Sequence, residues 1–179
     1  MYKEKLQGSN VKAFEQFALA YQKRDRAALE WKSRGGKVVG CLGNDVPEEI
    51  LIAAGYLHVR ICGDPRDRNG GSADRYIERA FDPLVRSQFR RIVDGSYSFL
   101  DHIIINSSSD ALVRVFYYLR ELRRVEPELK IPEIYFFDFL HTRYRTSAIY
   151  NRERLIELKK VVEHWRRQPI TEEDIKRAI

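Results

Sequence analysis

Apolar residues at Val11, Phe14, Phe17, Ala18 and Tyr21 recur on one face of a 3.6-residue period. The pattern runs on toward Trp31 and predicts helix through the first 35 residues, with Ser9 or Asn10 able to cap the start and Gly35-Gly36 to stop it. At Lys37 the period changes. The run KVVGCL predicts a buried strand at 37–42, followed by a Gly43-Asn44-Asp45 turn. Asp45 stands three residues before Glu48, a capping-box spacing, and Pro47 suits the first turn of a short helix over 47–54. Gly55 closes that helix before a second strand at 57–62, which makes a parallel βαβ unit.

Residues 63–74 lack periodicity and read as a loop. Helix resumes at Arg75, with Ile77, Phe81, Leu84, Val85, Phe89 and Ile92 on one face and a kink or break at Pro83; Gly95 ends it. A third strand is predicted at 102–106, and Ser107-Ser108-Ser109-Asp110 then caps a helix through Leu112, Val115, Phe116, Leu119 and Leu122. Pro127 and Pro132 frame a loop before a fourth strand at 133–138. A long helix over 146–167 buries Leu155, Leu158, Val162 and Trp165, and Thr171 to Asp174 cap a last short one after Pro169. The expected fold is α/β: an open, mostly parallel four-stranded sheet flanked by helices. Residues 1–36 form an N-terminal helical segment and residues 37–179 the α/β domain.

Composition narrows the class. A chain of 179 residues that is 44% hydrophobic can bury one core without disulfide or metal support. Nothing approaches the apolar run of a membrane span, and Met1 to Lys5 have no apolar signal region, so a cytoplasmic protein is expected. Cys41 and Cys62 are too few for a disulfide framework and suit a reducing compartment. The net charge of +6 serves either solubility or the binding of phosphates on a nucleotide or coenzyme A. Nucleic-acid binding is not expected, because no zinc finger, basic zipper or RNA-binding aromatic signature is present.

Ligands of open parallel sheets bind beyond the carboxyl ends of the strands, which selects 42–49, 60–66, 106–110 and 138–145. The serines at 107–109 either cap a helix or offer donors to an anion or carbonyl oxygen. Asp138, His141 and Arg143 form either a surface loop or acid–base machinery. Nucleotide-binding glycine fingerprints, a nucleophile elbow and the HExxH zinc motif are all absent, and the four histidines share no metal-ligand spacing.

The stretch from Lys37-Val38-Val39-Gly40-Cys41-Leu42-Gly43-Asn44-Asp45-Val46-Pro47-Glu48-Glu49 to Ala53-Ala54-Gly55 and His58-Val59-Arg60 resembles the 2-hydroxyacyl-CoA dehydratase and benzoyl-CoA reductase family. Phe81-Asp82-Pro83-Leu84-Val85-Arg86-Ser87 is similar to that family's CPxVRS. Ile105 to Ala111 is similar to its strand-to-helix SCD turn, and Ile170 to Ile179 to the ITDEDLREAI that closes its first half. The likeness is to the N-terminal half of a subunit such as the D-component of 2-hydroxyglutaryl-CoA dehydratase. It implies a partner subunit, an acyl-CoA ligand, a lyase (dehydratase) reaction and a four-iron, four-sulfur cluster held by cysteines in two α/β halves.

On that alignment Gly43, Asp82 and Ser109 replace the cluster cysteines. A cubane cluster wants soft thiolates, so the expectation is no cluster and no other metal or cofactor on this chain. The expected function is a cluster-less dehydratase-like subunit or binding domain that acts with another protein subunit. Asn44, Ser107, Ser109 and Asp110 are the expected ligand contacts, and Arg60, Arg66 and Arg86 the phosphate contacts. Two alternatives stay open: an iron-independent hydratase or lyase using Glu48, Asp110 or His141, and a purely structural interaction module.

Overall fold

The structure, a computed structural model, describes residues 9–64 and 71–179. Among these, β1 (Lys37–Leu42), β2 (Tyr56–Arg60), β3 (His102–Asn106) and β4 (Glu133–Phe137) form one sheet in the order β2-β1-β3-β4. Every pairing is parallel, with Val39 opposite His102 and Leu42 opposite Ile105 in the central pair. The central strands are buried on both faces. That is why β1 and β3 read as unbroken apolar runs rather than alternating ones.

The period-two alternation of each strand sends successive side chains to opposite layers. Val38, Leu42, Ile103 and Ile105 face one core, closed by α2 (Arg26–Ser33), α4 (Pro83–Val93) and α5 (Asp110–Val125) through Ala28, Phe89, Ile92, Val115 and Leu119. Val39, Cys41, Ile104 and Phe137 face the other, closed by α3 (Glu48–Ala53) and α6 (Arg145–Arg166) through Leu51, Leu158 and Val162, together with Ile170. A final helix, α7 (Glu172–Ala178), packs on α3. It starts with the cap expected at 171–174, which is a capping box between Thr171 and Asp174.

Three local expectations are corrected. The single N-terminal helix is two, α1 (Ser9–Gln22) and α2, parted at the charged turn 23–25, which has no apolar residue to bury. The helix expected from Arg75 begins only at Pro83. Pro83 therefore starts α4 rather than kinking it, since its missing N–H is one no first turn can use, while Asp82 accepts from the N–H groups of Leu84 (2.8 Å) and Val85 (3.3 Å). Residues Ser72–Arg75 form only a 3-10 turn. Finally, Asp45 does not cap α3: Pro47 holds the cap position, and the Asp45 side chain turns toward the carboxyl edge of the sheet.

Candidate functional site

Two loops leave the centre of the sheet in opposite directions. From β1 the chain passes to α3 on one face, and from β3 it passes to α5 on the other. The carboxyl ends of β1 and β3 thus flank the crevice where parallel sheets bind ligands. Asn106, the last residue of β3, lies at its floor with 0% exposure. Its Nδ2 donates to Asp45 Oδ2 (3.0 Å), and its Oδ1 accepts from the Ser108 hydroxyl (2.8 Å) and N–H (3.3 Å). His141 Nε2 stands 3.2 Å from the same Asp45 oxygen. One carboxylate therefore ties together the loops after β1, β3 and β4.

Gly43 makes this packing possible. Its φ is +101°, and a Cβ at this position would overlap the Asn106 carboxamide.

On the α4/α5 side of the crevice lies a cleft of about 400 Å³ lined by Gly43, Asn44, Arg60, Cys62, Gln88 and Ser109, with Arg24 at its edge. Its walls are tied by hydrogen bonds. The Tyr97 hydroxyl accepts from the Cys62 N–H (2.8 Å) and donates to the Cys62 carbonyl (3.0 Å), to which Arg91 also donates (3.1 Å). Gln88 donates to the Ile61 carbonyl (3.1 Å). The other thiol, Cys41, is buried in the opposite layer, and burial, with Glu48 nearby, pushes it up to about 12.

The expected ligand contacts divide. Asn44, Ser109 and Arg60 do share the cleft. Arg60 is already engaged, donating to the Gly43 carbonyl (3.0 Å) and Asn44 Oδ1 (2.5 Å). Ser109 caps α5 by accepting from the Leu112 N–H (3.3 Å). Ser107 accepts from the Phe139 N–H (3.0 Å), which locks the β3 exit to the β4 exit. Beside it, burial would push the Asp138 carboxyl up. Hydrogen bonds from Ser107 and Tyr150 outweigh burial and hold it below the usual carboxylate range. Arg86 is away from the cleft and pairs with Asp74 (3.3 Å), which Arg90 also holds (2.8 Å). Arg66 lies outside the described residues.

The three acid–base candidates do not meet. Glu48 pairs with His58 (3.1 Å) and Arg60 (3.5 Å). Asp110 lines a separate hollow of about 330 Å³ with Glu78, Asp82 and Arg114. His141 is exposed at the rim beside Asp45. Asp45 and Gln88 join the site without a signal in the sequence: the capping-box spacing of Asp45 points to α3 instead, and nothing local marks Gln88.

Residues 44–179 match the family described as 2-hydroxyglutaryl-CoA dehydratase, D-component. The chain belongs to this family. It is also 25% identical over 169 residues to the Escherichia coli (strain K12) protein named "Putative dehydratase subunit YjiM", a match covering 93% of this chain and 42% of that protein. The chain thus spans about two-fifths of the length of this curated relative.

Membership of the dehydratase family raises the question of the iron–sulfur cluster that the resemblance implies. Of the three positions that the resemblance aligns with cluster cysteines, Gly43 and Ser109 line one cleft, whereas Asp82 lines the separate hollow with Asp110. Their donors do not fit a cubane cluster. Gly43 has no ligand and no room for one, and the Asp82 carboxylate and Ser109 hydroxyl are spent on helix caps. Among the described residues no group of three or more His, Cys, Asp or Glu side chains is placed to hold a metal ion. Nor, among them, is any helix long and apolar enough to cross a membrane.

Proposed function

We propose that this chain is a dehydratase-family subunit unit that binds no iron–sulfur cluster, receives an acyl-CoA-type ligand in the cleft at the β1/β3 crevice, and acts with a partner chain in the cytoplasm. The observation that carries the reading is the packing of Gly43 against Asn106. The position that the resemblance aligns with a cluster cysteine is closed to any side chain, while the cleft beside it stays open and is lined by Asn44, Arg60 and Ser109 together with Ile61, Leu84 and Leu112. A lyase role then belongs to the assembly, with this chain contributing binding and shape.

Anaerobic reconstitution with iron and sulfide tests the first part: a stoichiometric cluster with its visible absorbance would overturn it. Thermal unfolding with a panel of CoA thioesters tests the second, since a ligand that binds the native state must raise the melting temperature. No shift with any thioester at millimolar concentration would count against the cleft as an acyl-CoA site.

An iron-independent acid–base reading draws on one observation, the Asp45 carboxylate held 3.2 Å from His141 Nε2, a base with an orienting partner. Turnover of an enoyl- or hydroxyacyl-CoA by the isolated chain, abolished by His141→Gln, would favour it over the binding role.

A further inference from the structure

The arginines expected to hold phosphate are engaged or distant. Arg60 is bonded to Gly43 and Asn44, and Arg86 is paired with Asp74 away from the cleft. Residues 139–152, which leave β4 and enter α6, carry Arg143, Arg145 and Arg152 and no Asp or Glu. Arg152 pairs with Glu153 (3.3 Å), and further along α6 Arg154 pairs with Glu157 (2.6 Å). Arg143 and Arg145 are exposed and, among the described residues, make no ion pair or side-chain hydrogen bond. Their backbone is tied down on both sides. The Asn151 carboxamide accepts from the Leu140 N–H and donates to the Leu140 carbonyl (both 2.8 Å), and the Thr142 and Ser147 hydroxyls meet at 2.5 Å. Tyr144 between the arginines is extended, which sets their Cα atoms about 7 Å apart, so both guanidiniums can reach one phosphate group. Two residues before Arg143, His141 touches Asp45, and Asp45 follows Asn44 of the cleft wall. The pair therefore stands just beyond the rim of the β1/β3 crevice.

Two guanidiniums held side by side without a carboxylate repel one another, and a phosphate between them turns that repulsion into attraction. Arginine suits the role because its planar fork of donors matches phosphate oxygens in pairs. We propose that Arg143 and Arg145 hold the phosphate groups of an extended phosphate ester whose reacting end lies in the cleft, a placement that rests on the acyl-CoA-type reading of that cleft. The same chemistry would take free phosphate or pyrophosphate, so each source needs its own probe.

The test is isothermal titration of the full chain with acetyl-CoA and, separately, with inorganic pyrophosphate. The Arg143→Gln/Arg145→Gln variant should bind acetyl-CoA roughly tenfold or more weakly than the parent, the loss expected when charge-assisted hydrogen bonds to phosphate are removed. Arg152→Gln removes an exposed arginine already paired with Glu153 and should bind within about twofold of the parent. Pyrophosphate should bind the parent about tenfold or more weakly than acetyl-CoA, because it lacks the end that enters the cleft. The double variant's melting temperature should stay within about two degrees of the parent, since the replaced side chains are exposed; the two single variants repeat the test if the double one misfolds. Equal affinity of parent and double variant for acetyl-CoA, or an equal loss in Arg152→Gln, overturns the phosphate site while the acyl-CoA reading stands. Pyrophosphate binding as tightly as acetyl-CoA, with the same loss in the double variant, makes free phosphate the source: the arginine site stands and the acyl-CoA reading of the cleft fails. If neither probe binds the parent, both fail.

Discussion

Gly43 lies against the Asn106 carboxamide so closely that any side chain at 43 would occupy the same space. The contact joins the ends of the two central strands, and the hydrogen bonds of Asn106 to Asp45 and Ser108 depend on it.

The two positions should therefore be energetically coupled. Gly43→Ala is expected to cost about 2–4 kcal/mol, from the left-handed backbone and the overlap together. Asn106→Ala should cost about 2–3 kcal/mol by leaving Asp45 and Ser108 without their buried partner. In the double variant the overlap is gone, so its cost should fall short of the sum of the two single costs by about 1 kcal/mol or more. Denaturant unfolding of the four proteins measures this, and strict additivity would refute the contact. Gly43→Cys, which supplies the thiol that the resemblance implies at this position, should be destabilised like the alanine variant and assemble no cluster.

Asp101 joins α2 to the sheet. Burial would push its carboxyl up, but the Val38 N–H (2.8 Å) and the ammonium groups of Lys32 (2.9 Å) and Lys37 (3.1 Å) outweigh burial and hold it below the ordinary range. Its native-state value is depressed, so its contribution is complete above the unfolded carboxyl range near pH 4 and is lost as pH falls through the depressed value. Asp101→Asn should cost about 1–3 kcal/mol at neutral pH and reduce the acid sensitivity of stability. An unchanged pH–stability curve would contradict this role.

His102 opens β3 stacked on Trp165, with ring centroids 4.0 Å apart and planes within 6°. Burial lowers its affinity for a proton, and Lys37 adds to that, while Glu133 and Asp101 oppose it. A histidine depressed in the native state binds protons more readily once unfolded, so stability should decline as pH falls through the unfolded value near 6.5. Between pH 7 and 5 the chain should lose melting temperature, and His102→Phe should lose less. Equal slopes for the two proteins would exclude the effect.

The two thiols should differ in reactivity. Cys62 lines the cleft, whereas Cys41 is buried and pushed up to about 12. Thiolates are the reactive species, so iodoacetamide at neutral pH should label Cys62 in the native chain and reach Cys41 only on unfolding. A bound CoA thioester should slow labelling of Cys62. Mass mapping of the alkylated peptides reads both outcomes.

Expectations that rested on local chemistry agree with the structure. The strands at 37–42 and 102–106, the Ser109 and Thr171 caps and the alternation of strand and helix all depend on neighbours within a turn or two. The expectation for Asp45 failed because its local answer had a distant competitor, whereas that for Pro83 failed to a stronger local signal. Asp45 has the spacing of a cap for α3 but is drawn to Asn106, 61 residues away, and to His141, 96 away. Pro83 sits within a longer periodic pattern, yet it begins the helix because Asp82 caps it so well.

The sequence by itself determined the class of the chain: a parallel α/β sheet and the dehydratase family. Periodicity, cap chemistry and residue type are written along the chain and need no third dimension. Only the tertiary structure decided which side chains share the crevice, that Arg60, Arg86 and Glu48 already have partners, and that position 43 has no room for a side chain. Those outcomes depend on distances between residues far apart in the chain, set only when the two layers pack on the sheet.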